Sequence, residues 1–197
     1  MNKGKLGLLI FSMLVSYMIN TYYLDNILKI FNIISIIILL LNRMLIASLI
    51  FITLEFIIID KKQNKDIFIR KFSLIYIILL IGLLFGRKFI LDINLTSRFN
   101  FNSFIPKWLN HLDNKLVLYY LCGNILIYIP VGVIFRHYQT FFTSLLSSYI
   151  FIILLETLQA ITKLGFFDID DIILNGLGSL IGIILIELYK KFLVKHM

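Results

Sequence analysis

The sequence predicts an all-α protein: a polytopic bundle of about six transmembrane helices (five to seven are compatible), with both termini cytoplasmic. Three observations predict it. Sixty per cent of the 197 residues are apolar and 15% are charged, whereas a soluble domain is about 45–50% apolar and about 25% charged. The apolar residues gather into runs of the length that crosses a bilayer, roughly 20 residues at about 1.5 Å each. Lysine and arginine recur between the runs in a pattern that assigns sides. The same composition excludes a soluble globular chain and a disordered one. A single cysteine, Cys122, excludes an intrachain disulfide scaffold. The net charge of +8 lies beside apolar spans, so membrane topology accounts for it and nucleic-acid binding is not expected. Alanine and proline are scarce beside Ile, Asn, Lys, Phe and Tyr, a bias toward AT-rich codons that hints at a low-GC bacterial genome.

The first span is Leu6–Tyr23. It follows Lys3 and Lys5, and no small-x-small cleavage site succeeds it, so an uncleaved anchor is expected. The run Ile27–Ile59 is too long for one upright helix and short for two. The dense basic segment Lys61–Lys71, the tail Lys190–Lys195 and the N-terminal Lys3 and Lys5 are all assigned to the cytoplasm. Those assignments require Ile27–Ile59 to cross once, at about Leu40–Ile59. Residues 27–39 then tilt or lie in the outer interface, and Arg43 snorkels near the outer end. The remaining spans are Ile67–Gly86, Leu116–Phe135, Phe141–Ile161 and Ile172–Tyr189. Residues 1–86 form an N-terminal group of helices. Residues 87–197 comprise an outer loop, 87–115, and three further helices. Pro106 and Trp108 in that loop fit an interfacial turn, and Pro130 with Gly132 predicts a kinked fourth span.

Polar residues in lipid are costly and mark function by default. Asn124 lies roughly 13 Å below the outer start of its helix at helical rise. Glu156 and Gln159 share one face near the outer end of the fifth span. Asp168, Asp170 and Asp171 precede the sixth span, and Asp171 shares a face with Asn175. The outer loop brings Arg98, Asn100 and Asn102 to the same side. Polar groups from three helices and one loop therefore converge on the outer half of the bilayer. Each also has a plainer role. Asp168 and Asp170 can cap the sixth span, Asn124 and Asn175 can bridge helices, and Glu156 can be a protonated carboxyl bonded between them. Gly178-Ser-Leu-Ile-Gly182 reads as a close-packing face. Glu187 and Lys191 read as an exposed i, i+4 pair. His111, His137 and His196 lack ligand spacing, so no metal site is expected from them, and the sequence leaves any cofactor unknown.

Four ordered segments resemble the VanZ-like family of small bacterial membrane proteins. They are Arg98-Phe-Asn100-Phe-Asn102-Ser103-Phe104, Gly123-Asn124 through Pro130-Val-Gly132, Glu156-Thr-Leu-Gln159, and Asp168-Ile-Asp170-Asp171 through Asn175-Gly176-Leu-Gly178 to Gly182. Ser103 stands where the family usually has proline. No arginine precedes the Asp block, where this chain has Lys163-Leu-Gly165-Phe-Phe. The resemblance implies a multi-pass protein of the bacterial plasma membrane with a role in resistance to teicoplanin-type glycopeptides or in envelope modification. The implied contacts beyond the lipid bilayer are an envelope glycan, a lipid-linked precursor or a glycopeptide. The candidate binding set is Arg98, Asn100, Asn124, Glu156, Gln159, Asp168, Asp170, Asp171 and Asn175. The alternative is an intramembrane enzyme acting on a lipid-linked cell-wall substrate. Glu156 and Asp171 would then be the catalytic candidates, and Asp168, Asp170 and Asp171 would ligate substrate or Mg²⁺ through water.

Overall fold

A computed structural model describes residues 3–25, 36–59, 65–85 and 98–195. The predicted course of 27–35, the head of the basic segment at 61–64, the start of the outer loop at 87–97 and His196 lie outside the described residues. The chain divides into two compact units, Met1–Phe89 and Ile90–Met197.

In the first unit α1 spans Lys3–Ile19 and α2 spans Ile36–Leu54, and each continues into one π-helical turn, Asn20–Leu24 and Glu55–Ile59. The helix α3 spans Lys65–Phe85, so Arg70 and Lys71 belong to its first turns and not to a loop. A polar stripe recurs every fourth residue along α1. Ser12, Ser16 and Asn20 are all buried, while Leu14, Tyr17 and Met18 face outward. The stripe meets α2. The Ser16 hydroxyl donates to the Arg43 carbonyl at 2.7 Å, and Asn42 Nδ2 donates to Asn20 Oδ1 at 2.8 Å. Lys5 pairs with Glu55 at 2.7 Å. The separations fall from 50 to 22 residues along α1, which makes the helices antiparallel. Arg43 does more than snorkel: it pairs with Asp25 and lies 5.3 Å over the Tyr17 ring. An unpaired cation in lipid is far costlier than one held by a carboxylate and an aromatic face.

In the second unit β1 (Phe99–Asn100) pairs in parallel with β2 (Phe167–Asp168). The helices are α4 (Ile105–Leu109), α5 (Lys115–Tyr138), α6 (Phe141–Ile161) and α7 (Ile169–Lys195). Asn114 caps α5, its side chain accepting from the Leu116 N–H at 3.0 Å. The helix runs unbroken through Pro130. It ends at a two-residue corner, Gln139–Thr140, that reverses the chain into α6. At the far end of α6, Leu164 N–H bonds the Gln159 carbonyl and Lys163 N–H bonds the Ala160 carbonyl. This is a Schellman closure with Lys163 in the left-handed position at φ 62°.

Bonded residues on α5 and α7 stay 47 to 54 positions apart along the helices, so the two run parallel. Glycines let their backbones touch. A β-carbon on Gly132 would lie 1.9 Å from the Ser179 carbonyl oxygen. On Gly178 it would lie 2.1 Å from that of Ile125, and on Gly182 2.0 Å from that of Ile129. The Gly178–Gly182 spacing is thus a packing face, as such small-residue pairs are in membranes. At the opposite end from the Asp block, Glu187 pairs with Arg136 of α5. This corrects the expected Glu187–Lys191 surface pair. The guanidinium is largely buried, and a neighbour across the interface outcompetes an exposed one along the helix.

Five helices among the described residues are long and apolar enough to cross a membrane: Gly4–Leu24, Asp66–Phe85, Lys115–Tyr138, Phe141–Ile161 and Ile169–Phe192. The helix α2 lies where the remaining crossing is predicted. Large apolar side chains such as Phe142, Leu146 and Leu154 point outward from α6, a surface that only lipid satisfies in a protein this apolar. The chain is a multi-pass helical membrane protein.

Candidate functional site

The predicted polar residues of the second unit all fall at one end of it. They are held by the start of α5, the end of α6, the start of α7 and the segment around β1. They form three connected groups.

The first group docks the loop onto α7. Register in the two-strand bridge places Asn100 opposite Asp168, and Asn100 Nδ2 donates to Asp168 Oδ2 at 3.2 Å. The other oxygen, Oδ1, accepts the Asp170 N–H at 3.0 Å. Asp168 is therefore the N-cap of α7, favoured there by the helix dipole as well. Asp170 is fully buried. Its Oδ2 accepts the Phe104 N–H at 2.7 Å, and its Oδ1 accepts the Ser103 hydroxyl. A buried carboxylate is tolerated only when hydrogen-bonded in this way. Arg98 is also fully buried, with its guanidinium carbon 6.0 Å from the Phe166 ring.

The second group joins α5 to α7. Asp171 Oδ1 accepts from Asn124 Nδ2 at 2.7 Å and from the Tyr120 hydroxyl. Tyr120 and Asn124 are one turn apart on α5, so both reach one oxygen. Trp108 of α4 stands edge-on to Tyr120, with ring centroids 4.6 Å apart. Phe104 lies 6.2 Å from Trp108, and Lys107 lies 5.4 Å over the Phe104 ring.

The third group joins α6 to α7. Asn175 Nδ2 donates to Glu156 Oε1 at 3.1 Å, and both residues are 2% exposed. Gln159, one turn on from Glu156, is 3% exposed and packs against Gly165, where an added β-carbon would lie 3.2 Å from the Gln159 Cβ. Asp171 and Asn175 share α7 yet turn to different partners, the first to α5 and the second to α6. Among the described residues, no three or more His, Cys, Asp or Glu side chains gather as a metal-binding group.

Two participants escape the sequence reading. Tyr120 is not singled out there. Its signal is the four-residue stripe Tyr120, Asn124, Tyr128, Gly132, whose members turn toward one face of α5. Ser103 reads only as a departure from a family proline; here its hydroxyl binds Asp170.

Comparison with curated proteins and with solved structures finds no match. A family model described as VanZ/LLP1 matches residues 37–190, which takes in α2, α3 and the whole polar end of the second unit. It reaches well beyond the four segments within 98–182, and on that match the chain belongs to the VanZ/LLP1 family.

Proposed function

We propose that this chain acts in the plasma membrane of a bacterium, where it lowers sensitivity to teicoplanin-type glycopeptides through the polar end of its second unit. That end faces outward, and both termini are cytoplasmic. Its ligand is an envelope glycan, a lipid-linked precursor or the glycopeptide itself. The observation that carries the reading is the continuous hydrogen-bonded frame from Asn100 through Asp168 and Asp170 to Ser103, and from Tyr120 and Asn124 to Asp171. It falls within the family match. Such a frame holds a surface in one shape, as recognition requires.

The hydrogen bonding also weighs binding against catalysis. Asp168, Asp170 and Asp171 each accept bonds that anchor a loop or a helix. A general acid or base must exchange protons with substrate, and carboxylates committed to the scaffold are poor candidates for that work.

The test is expression in a sensitive host with teicoplanin susceptibility measured. The wild-type chain raises the inhibitory concentration, and Glu156→Gln and Asp171→Asn abolish the rise at equal membrane abundance. No change with the wild type removes the resistance role. Full resistance in both variants removes the site. Orientation is tested separately, with Cys122 replaced and single cysteines placed at Asn102 and Asn64. Labelling from outside at residue 102 alone supports the outward-facing site, and labelling at 64 alone inverts it.

A further inference from the structure

The helices α5 and α7 run parallel but do not start level. Tyr120 and Asn124 are the sixth and tenth residues of α5, and Asp171, which both of them bind, is the third of α7. At about 1.5 Å per residue, α5 runs on past the start of α7 by roughly 5–10 Å. The short helix α4 lies beside that overhang and not on top of it. Ser103 and the Phe104 N–H tie its entry to Asp170, and the Trp108 ring stands against Tyr120. The chain then climbs to Lys115, where α5 begins. We propose that lipid of this leaflet covers residues 101–119, with the bilayer surface at the corner 110–115, so that the Tyr120–Asn124–Asp171 group lies beneath that surface.

The exposed side chains identify the occupant. Leu116, Tyr119, Cys122 and Leu126 follow one face of α5 at helical spacing, and all are exposed. Leu126 lies well inside a membrane-crossing helix, so the stripe carries a lipid-facing surface without a polar break up to the first turn. Were the bilayer surface level with the start of α7, the upper end of this stripe would stand in water as an uncovered apolar patch, and Leu109 with it. Aromatic rings gather at the same depth. Phe101 is 69% exposed and packs on Phe167 of β2 with centroids 5.6 Å apart, and Phe104 and Phe166 are exposed as well. Aromatic belts of this kind mark the membrane interface. The polar side chains are sorted by height. Asn110, His111, Asp113, Asn114 and Lys115 fill the corner and are all exposed, as groups that meet headgroups and water must be. Below them Lys107 lies 5.4 Å over the Phe104 ring, an apolar stem whose cation snorkels to the headgroup phosphates. A polar group at that depth is met from the leaflet and not from water. Among the ligands proposed above, and resting on that reading, this favours the lipid-linked precursor.

Trp108 is the single tryptophan of the chain, so its emission reports this depth directly. The full chain is reconstituted into phosphatidylcholine vesicles whose lipid is brominated either near the headgroup end or near the methyl end of its chains. Iodide, present on both sides of the membrane, probes exposure to water. The emission of Trp108 falls severalfold with bromine near the headgroup end, less with bromine near the methyl end, and little with iodide. In a Trp108→Phe background, Leu118→Trp behaves in the same way, whereas Asp113→Trp, at the corner, is quenched by iodide. Strong iodide quenching of Trp108 with no effect of either brominated lipid places the loop in water and overturns the proposal. Where the protein itself shields Trp108 from both quenchers, Leu118→Trp decides: quenching by bromine supports the immersion, and quenching by iodide to the extent seen at residue 113 overturns it. None of these readings needs a resistance phenotype. A chain that confers no resistance still reports its depth, and a water-exposed Trp108 removes the lipid route without touching the susceptibility assay.

Discussion

Asn124 and Asp171, 47 residues apart in the chain, meet at 2.7 Å across the α5–α7 interface, and Tyr120 donates to the same carboxylate oxygen. Interhelical hydrogen bonds in membranes average about 0.6 kcal/mol and reach about 1.7, and bonds to charged groups run higher. Asp171→Ala is therefore expected to lower stability by about 1–3 kcal/mol. Asp171→Asn keeps an acceptor and loses less. A double-mutant cycle between Tyr120→Phe and Asp171→Asn, followed by unfolding in mixed detergent, should give a coupling of about 0.5–1.5 kcal/mol. Strict additivity would mean the tyrosine bond contributes nothing.

Helix contact through glycine makes a sharper expectation. Gly182→Ala puts a methyl group 2.0 Å from the Ile129 carbonyl oxygen, a distance only backbone movement can relieve. Overpacking of that kind costs about 1–3 kcal/mol or more. Gly123→Ala, on the same helix pair but with nothing within 4 Å of its new methyl, should be neutral or mildly stabilising. Thermal unfolding in detergent compares the two, and equal melting temperatures would contradict the close approach of α5 and α7.

Lys163 holds a left-handed conformation at φ 62°, the position glycine usually fills in this closure. Lys163→Gly removes roughly 1–2 kcal/mol of backbone strain and returns part of it as unfolded-chain entropy. A net gain of about 0.5–1 kcal/mol corresponds to a melting rise of about 1–4 °C. Lys163→Val, β-branched and ill-suited to positive φ, should lower it.

In the first unit, Asn42→Leu strands Oδ1 of Asn20, a fully buried residue. A stranded polar group costs about 1–3 kcal/mol. The double variant Asn20→Leu/Asn42→Leu removes both partners and should recover most of the loss. A double variant no more stable than the single one would show that Asn20 does more than serve Asn42.

Legibility in the sequence tracks the range of each contact. Glu156 and Gln159 are readable as one face because helical period places residues three apart together, and both are buried as a pair. Asp168 is readable as a cap from its position before an apolar run, and it is one. Glu187 misleads for the same reason: periodicity offers Lys191, whereas the partner is Arg136, 51 residues away on another helix. Ser103 and Asp170 are 67 residues apart, and only the β1–β2 register brings them together. The Asn20–Asn42 bridge lies across a hairpin whose alignment no local pattern encodes.

The parallel course of α5 and α7 has a consequence for how the protein is made. Helices leave the ribosome in order, and α6 must pass between them before they can meet. Until α7 emerges, Asn124 has no Asp171 to bind, and the Gly132 surface has no Ser179 backbone against it. An amide in lipid without its partner is costly. Membrane insertion of α5 is thus finished only by synthesis of the last helix, and a chain truncated before residue 171 would leave α5 with an exposed polar stripe for quality-control proteases to find.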